Sequence, residues 1–228
     1  MCEPVHETGG KLSEETTAWM KMQLEEAKKQ GVTVIPVSHH NLLDESTLYP
    51  EECTIENTKE VTALLEAYGV PVYLSGHLHL QRIKKHTSNL NTPGGYGIRE
   101  IVTSPLPMAP CQYSILNWQA DGSLSYHTKK VDIAGWAQRY GEEDENLLNF
   151  DAYADQFLVD VISEQAFKAL QSASKDIKEE MARLYADMNR DYCAGTKIDV
   201  AKLRKSEAYQ YWIRYLSLIH ISEPTRPY

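Results

Sequence analysis

The sequence is poor in basic residues for its length. Its 228 residues include 23 Lys or Arg against 32 Asp or Glu, which gives a formal net charge of -9 at pH 7. A surface that binds nucleic acid or an anionic membrane needs an excess of basic side chains. We therefore expect neither as the main partner.

Cysteine and long apolar runs are also scarce. The four cysteines, Cys2, Cys53, Cys111 and Cys193, form no C-x-x-C pair, so the sequence indicates neither a disulfide scaffold nor a structural zinc knuckle. No run approaches the roughly 20 apolar residues of a membrane-spanning helix. The first residues lack the basic and apolar regions of a secretory signal. No membrane segment is predicted, and the localisation stays open between cytoplasm and cell envelope.

The last residues of the chain do not read as natural protein sequence. Residues 216–226 are LSLIHISEPTR, the translation of a DNA sequence that resembles the adapter of transposase-based sequencing libraries. We interpret residues 216–228 as translated adapter and leave them out of the fold prediction. We expect the natural sequence to diverge near Tyr215, and the chain to begin inside a longer protein.

The first third of the chain alternates helix and strand signals. Residues 13–30 and 57–68 each start with a capping residue and continue with apolar residues at helical spacing. An apolar run follows each helix, at 32–38 and 70–75, of the kind found in strands covered on both faces. Residues 41–55 have no period and read as a loop. The order helix, strand, helix, strand predicts an α/β fold with parallel strands.

Further along the chain, the apolar pattern changes to a period of two and then returns to helical spacing. Strands are predicted over 81–85, 96–104, 112–118 and 123–131, with a hairpin turn at Asp121-Gly122. Helices are predicted over 149–173, 175–193 and 200–215. We place a domain boundary near residue 140, so that residues 1–140 form an α/β domain and residues 141–215 form an α-helical extension.

Both predicted parallel strands end at histidines. His39 and His40 follow the first, and the G-H-L-H of residues 76–79 follows the second. Ligands of open α/β sheets bind at the carboxyl ends of strands, and imidazole is the commonest ligand of divalent transition metals. Residues 76–79 are predicted to be extended, so that His77 and His79 share one side, and Gly76 leaves room for a metal or substrate. On spacing alone, the histidines remain open between metal ligands and hydrogen-bonded surface residues.

Other signatures of hydrolases are missing from the sequence. There is no G-x-S-x-G elbow and no G-x-x-x-x-G-K-[ST] phosphate loop. The residues after His79 do not continue an H-x-H-x-D-H pattern. His6, His86 and His127 have no comparable setting, so we expect them at the surface.

The two histidine motifs resemble those of a known family. V-S-H-H at 37–40 and G-H-L-H at 76–79 are similar to the last two motifs of bacterial-type calcineurin-like metallophosphoesterases, and the similarity covers about residues 10–132. It implies an α/β sandwich with a mixed β-sheet. It also implies metal-assisted hydrolysis of small-molecule phosphate mono- or diesters, with two divalent ions, Mn, Fe or Zn, as cofactors.

The resemblance also implies a role for each matching residue. His39 and His77 would bind one metal ion, and His79 would bind the other. His40 would support them from outside the coordination sphere. The residues that select the substrate are expected in the loops at 41–53 and 88–96.

The family's earlier motifs, D-x-H, G-D-x-x-D and G-N-H-D, do not occur in the sequence. The aspartate that bridges the two metals belongs to them. Because a two-metal site needs this shared carboxylate, we expect a fragment that does not hydrolyse phosphate esters by itself. The alternative is a non-catalytic chain whose helical extension binds another protein through its apolar stripes, which include Tyr153 and Phe157.

Overall fold

The structure is a computed structural model, which describes residues 10–44, 53–86, 97–170 and 174–218. The chain divides into two compact units, residues 1–104 and residues 105–228. The first contains a small mixed sheet with helices, and the second contains a β-hairpin and the C-terminal helices. This is the predicted mixed α/β fold with a helical C-terminal region.

Two helices and three strands make up the first unit. They are α1 (Glu14–Gln30), α2 (Thr58–Ala67), β1 (Val72–Ser75), β2 (Arg82–Lys85) and β3 (Arg99–Val102). The strand order is β1-β3-β2, with β3 parallel to β1 and antiparallel to β2. The apolar positions of both helices and of β1 meet in one core, formed by Leu24, Leu42, Leu43, Ile55, Val61, Leu65, Val70, Tyr73 and Ile98.

The predicted ends of α1 are confirmed. The Ser13 hydroxyl accepts a hydrogen bond from the Thr16 backbone N–H at 3.1 Å, which caps the first turn. Gly31 ends the helix with a left-handed backbone, φ 67°, a conformation that glycine adopts without steric cost. The start of α2 differs in one respect, because the Asn57 side chain does not cap its own helix. It accepts a hydrogen bond from the Leu12 N–H instead.

The run at 32–38 lies parallel to β1, as predicted, but it is not a covered strand. Val37 forms an isolated parallel bridge with Leu74, and Leu74 N–H donates to the Pro36 carbonyl at 3.0 Å. Val32 and Val37 are 56% and 73% exposed, so the expectation of cover on both faces is wrong. Among the described residues, β1 is the only sheet neighbour of this run, and Pro36 has no N–H to extend the ladder.

The described ends of the 41–55 segment are more ordered than the predicted loop. Asn41 N–H donates to the Cys53 carbonyl at 2.8 Å, and Ile55 N–H donates to the Asn41 carbonyl at 2.9 Å. Asn41, Leu42, Leu43 and Ile55 are buried. The polar composition of the segment gave no indication of this pairing between its described ends. Of the loops at 41–53 and 88–96, where substrate selection was expected, residues 45–52 and 88–96 lie outside the described residues.

The second unit begins with a hairpin and continues with helices. The elements are β4 (Gln112–Trp118), β5 (Leu124–Lys130), α3 (Ile133–Tyr140), α4 (Glu145–Leu148), α5 (Phe150–Ala169), α6 (Lys175–Ala194), α7 (Val200–Lys205) and α8 (Glu207–Leu218). The predicted turn is confirmed, since Gly122 has φ 81° and Ser123 N–H donates to the Asp121 carboxylate at 2.9 Å. The predicted helix at 200–215 is interrupted at Ser206.

The division between the units lies upstream of the boundary placed near residue 140. The hairpin belongs with the helices, because the Gln112 side chain donates to the Cys193 carbonyl at 3.1 Å. The residues before the hairpin join the helical core as well. That core consists of Ala109, Leu158, Val159, Ile162 and Ala186. The boundary placed near residue 140 therefore falls between the helices α3 and α4, within one compact unit. Within the described residues, no helix combines the length and apolarity needed to cross a membrane.

Candidate functional site

The structure brings His39 and His77 together. Nε2 of His39 lies 3.1 Å from Nδ1 of His77, although the two residues are 38 positions apart. They meet because residues 36–38 run parallel to β1 and both segments end at the same edge. The Gly76 N–H donates to the His39 carbonyl at 3.1 Å, which continues the pairing up to the histidines. The predicted proximity of these two imidazoles is confirmed.

His40 completes a cluster of three rings. Its ring centroid lies 4.6 Å from that of His77 and 5.5 Å from that of His39. Gly10 lies close to His40, and a Cβ atom on residue 10 would lie 3.0 Å from Nδ1 of the imidazole. The sequence contains no signal for this contact. Gly10 pairs with Ile55, and Asn41, the neighbour of His40, pairs with Thr54, so that two isolated bridges bring the residues together.

The backbone around His79 is not extended, so the predicted alternation of His77 and His79 is wrong. The strand ends at Ser75, and both histidines have a left-handed backbone, with φ 62° and 54°. Non-glycine residues rarely adopt this conformation, and where they do, it concentrates at functional sites. His79 is exposed, and its role as a metal ligand stays a prediction.

The room for a ligand expected at Gly76 stays a prediction. A Cβ atom at this position would lie 3.9 Å from the nearest atoms of His39, which is an ordinary van der Waals contact. The neighbouring residues therefore do not require glycine at position 76. The close approach in the cluster is the one at Gly10.

A buried carboxylate lies behind the histidine cluster. Glu100 on β3 is fully buried and accepts three hydrogen bonds of 2.6 Å, from the N–H groups of Leu42 and Leu43 and from the Ser75 hydroxyl. Burial raises the pKa of the Glu100 carboxyl above its ordinary value, while these hydrogen bonds partly offset the increase. Sequence reasoning missed Glu100. Its signal is weak, because Glu100 follows another charged residue, Arg99, between the apolar residues Ile98 and Ile101.

A second polar contact supports His40. The buried Tyr73 hydroxyl donates to the Ser38 hydroxyl at 2.7 Å, and Ser38 donates to the His40 carbonyl at 2.5 Å. Burial raises the pKa of Tyr73, so the phenol stays protonated at neutral pH and keeps its donor. The backbone that carries the histidines is therefore held from the β1 side of the sheet.

The donor atoms of His39 and His77 fit one end of a metal site. Two imidazole nitrogens on one tetrahedral zinc ion are about 3.3 Å apart, given bonds of about 2.0–2.1 Å, and the observed separation is 3.1 Å. A direct hydrogen bond between the rings has the same length, since one ring can donate to the other. In the part of the chain that the structure describes, no group of three or more His, Cys, Asp or Glu side chains is placed to hold a metal.

The remaining histidines lie elsewhere in the structure. His127 is exposed on β5. His86 is partly buried, with Nδ1 2.8 Å from the Glu66 carboxylate, so it is not the plain surface residue expected. His6 lies outside the described residues.

Comparison with known proteins concerns mainly the second unit. Residues 132–222 match the family model for the C-terminal domain of cyclic nucleotide phosphodiesterase. The match starts at Asp132, which caps α3, and covers less than half of the chain. The histidine motifs at 37–40 and 76–79 lie outside it.

Two further comparisons add little. No curated protein matches the chain. A crystal structure of a metallophosphoesterase from Sphaerobacter thermophilus is 18% identical, with 64% of this chain and 71% of that chain covered and a TM-score of 0.26. We base no functional conclusion on a match of that score. The similarity to a domain of cyclic nucleotide phosphodiesterase lies in the C-terminal region.

Proposed function

We propose that this chain is part of a metal-dependent phosphoesterase and that His39 and His77 hold one of its two divalent ions, Mn, Fe or Zn. The observation that carries the proposal is the 3.1 Å separation between Nε2 of His39 and Nδ1 of His77. His79 follows in the same motif and is the proposed ligand of the other ion. His40, whose ring lies beside that of His77, supports the pair without binding a metal.

Cyclic nucleotides are the proposed substrate class. The support is the match of residues 132–222 to a domain of cyclic nucleotide phosphodiesterase. A cyclic nucleotide is a phosphodiester, and phosphodiester hydrolysis is chemistry that a pair of divalent ions performs well. Other phosphodiesters and phosphomonoesters are the next substrates to test.

The proposed chemistry divides between the ion and the protein. The ion would polarise a phosphoryl oxygen as a Lewis acid. His39 and His77 would each present a neutral ring nitrogen to it, because a protonated imidazole cannot ligate a metal. The 3.1 Å contact means that the pair must release any proton shared between the rings before both nitrogens can bind.

The residues available as metal ligands explain why we propose that this sequence is inactive by itself. Neutral imidazoles do not offset the charge of two dications, and the motifs that carry the bridging aspartate do not occur in the sequence. We expect one zinc ion per chain, bound through His39 and His77, and no turnover of phosphate esters. A longer product of the same gene that carries D-x-H, G-D-x-x-D and G-N-H-D should be active.

The metal site can be tested by Zn²⁺ titration of the 228-residue chain against a chromophoric chelator. His39→Ala and His77→Ala should each abolish the bound zinc, because each removes half of the donor pair. His127→Ala is the matched control, since His127 is an exposed histidine on β5. Zinc binding that survives both cluster variants, or that is lost equally in His127→Ala, would refute the site.

The activity is tested separately with Mn²⁺ or Zn²⁺ on bis-p-nitrophenyl phosphate and on a 3′,5′-cyclic nucleotide. The longer gene product should turn over both substrates. In it, His39→Ala, His77→Ala and His79→Ala should lower kcat strongly, and His40→Ala should lower it less. Turnover that persists in the His77→Ala variant would place the active site elsewhere.

The outer face of α5 favours a second function, in protein binding. Phe150, Tyr153 and Phe157 form a row with successive ring centroids 6.3 and 6.1 Å apart. Tyr153 and Phe157 are 43% and 58% exposed, while Leu158 and Ile162 on the other side of the helix are buried. The helix therefore presents apolar side chains on two sides, and only one is used in the core.

Charge indicates which partner would suit this row. Residues 132–170 contain nine Asp or Glu and two Lys or Arg, so a second copy of the face would be repelled. A basic segment with apolar side chains would be attracted, and its cations would stack on the exposed rings. We propose, as the alternative function, that the row on α5 binds such a segment of another protein.

A pair of synthetic peptides tests the alternative. An Arg/Leu peptide should bind the full chain with an affinity that falls as salt rises, and a Glu/Leu peptide of the same length should not bind. The double variant Tyr153→Ser, Phe157→Ser should lose the binding. Tyr113→Ser, which changes an equally exposed tyrosine on β4, should keep it. Equal binding by both variants, or none by the native chain, would exclude the alternative.

A further inference from the structure

We propose that Glu100 is the positioning residue of the His39–His77 pair, which sets the separation of the two imidazoles without touching either. The inference rests on the proposed role of this pair as metal ligands. It concerns a residue that lies 23 positions beyond His77 and outside both histidine motifs.

The two oxygens of Glu100 hold two different segments of chain. Oε1 accepts from the Leu42 N–H and from the Ser75 hydroxyl, and Oε2 accepts from the Leu43 N–H, each at 2.6 Å. These distances are short, as in hydrogen bonds to an ionised acceptor. One carboxylate therefore joins residues 42–43 to the end of β1.

Those two segments carry the two histidines. Leu42 lies three residues after His39, and Ser75 lies two residues before His77. The residues that Glu100 holds are therefore close in sequence to both histidines. Because Glu100 is hydrogen-bonded to both segments, a change in these hydrogen bonds changes the position of one histidine relative to the other.

Asn41 reinforces the same connection from the side of His39 and His40. Its side-chain amide donates to the Ser75 hydroxyl at 3.0 Å and to the Gly76 carbonyl at 3.3 Å. Ser75 thus accepts from Asn41 and donates to Glu100, so the hydroxyl has one direction for its proton. The chain Asn41, Ser75, Glu100 connects three segments behind the cluster.

The rigidity of the support comes from β3. This strand is the central one of the three, hydrogen-bonded to β1 on one side and β2 on the other. Ser75 pairs with Val102 and Leu74 with Ile101 in the parallel register. Glu100 itself lies between Tyr73 of β1 and Lys84 of β2. It is therefore carried by a strand that is hydrogen-bonded on both sides, which makes it a fixed reference for the more exposed histidines.

A carboxylate is an expensive residue for a structural role alone. Glu100 is the only charged side chain in the buried set among the described residues, and burying a charge costs free energy unless it is fully hydrogen-bonded. An apolar residue would fill the same place without that cost. What the carboxylate adds is two acceptor oxygens at a fixed spacing, matched to the N–H groups of two consecutive residues.

The test compares Glu100→Gln with Val61→Ala in the full chain. Gln keeps the size of the side chain but places an NH₂ group against a backbone N–H donor. One of the hydrogen bonds from Leu42 or Leu43 is therefore lost. Val61 is a fully buried core residue of α2, and its truncation destabilises the unit without touching the network. Glu100→Asp keeps the charge and withdraws it by one methylene.

Two measurements separate positioning from stability. In metal-free protein, NMR should show a nuclear Overhauser effect between the His39 and His77 ring protons, and Glu100→Gln should weaken it while Val61→Ala leaves it unchanged. Zn²⁺ affinity should fall by about 10- to 100-fold in Glu100→Gln, as in other losses of support around metal ligands. Glu100→Asp should be intermediate in both measurements.

The ring contact does not require a metal, so the two proposals can fail separately. If native protein binds no zinc through His39 and His77, the proposed function fails, and the Overhauser effect still tests Glu100. If Glu100→Gln does not fold, Glu100→Asp decides the question through the same two measurements. Native affinity and a native ring contact in the folded Glu100 variants, or equal losses in Val61→Ala, would overturn the inference.

Discussion

The Tyr73 hydroxyl donates to the Ser38 hydroxyl at 2.7 Å, across 35 positions of sequence. The contact joins the buried β1 strand to the exposed segment that leads into His39 and His40. Because Ser38 passes the connection to the His40 carbonyl, the tyrosine influences the histidine backbone from inside the core.

Removing that hydroxyl should weaken the first unit. We expect Tyr73→Phe to lower the free energy of unfolding by about 0.5–1.5 kcal/mol, the usual net value of one hydrogen bond. Urea titration followed by circular dichroism measures it. Tyr68→Phe is the control, since the Tyr68 hydroxyl bonds to an exposed Glu25 carboxylate and its loss should change little. Equal effects of the two changes would contradict a special role for Tyr73.

Two glycines beside the histidine cluster should respond differently to alanine. At Gly10 the new Cβ would lie 3.0 Å from the His40 imidazole, so the ring must move and its NMR resonances should shift. At Gly76 the nearest atoms are 3.9 Å away, and its φ is not left-handed. Gly76→Ala should therefore raise the free energy of unfolding by about 0.4–1 kcal/mol through lower entropy of the unfolded chain. A shifted His40 in Gly76→Ala only would reverse this assignment.

The stability of the first unit should depend on pH through Glu100. Its pKa in the folded protein is raised by burial above the unfolded value of about 4.5. A group with a raised pKa binds its proton more tightly in the folded state, so its contribution to stability is complete below the unfolded pKa and declines as pH rises through the folded pKa. The glutamine in Glu100→Gln does not titrate, so the free energy of unfolding of the native protein minus that of Glu100→Gln should fall as pH rises from 4. Urea midpoints across pH 4–8 measure it, and a difference that grows with pH would refute the direction.

The effect of Gly135→Ala on stability should change sign when the N-cap residue of α3, Asp132, is removed. The Asp132 carboxylate accepts from the Gly135 N–H at 2.9 Å, and a Cβ on residue 135 would lie 2.2 Å from the other carboxylate oxygen. Asp132→Ala should cost about 0.5–2 kcal/mol. Gly135→Ala should destabilise the native chain by expelling the cap. In the Asp132→Ala background the same change should stabilise it by about 0.8–1.0 kcal/mol, the helix preference of Ala over Gly. Additive effects in a double-mutant cycle would contradict the shared cap.

Local patterns in the sequence predict most of the secondary structure. The apolar spacing and caps of α1 and the residues of β4 can be read directly, because helix ends and hairpins depend on neighbours in sequence. The approach of His39 to His77 could also be predicted, since two parallel segments that end alike must place their ends at one edge of a sheet. The failure at residues 76–79 is local too. The extended segment predicted beyond Ser75 is not formed, because the backbone turns left-handed at His77.

Only the tertiary structure decided which residues surround the histidines. Glu100 is buried and accepts hydrogen bonds from Leu42 and Ser75, and Gly10 lies close to His40. These contacts join residues that are 25 to 58 positions apart. No local pattern encodes such contacts, since each depends on how separate segments pack. The sequence by itself determined that two histidine motifs end two neighbouring segments, because that follows from periodicity and residue type. Long-range packing decided how closely the rings approach and which buried carboxylate holds them there.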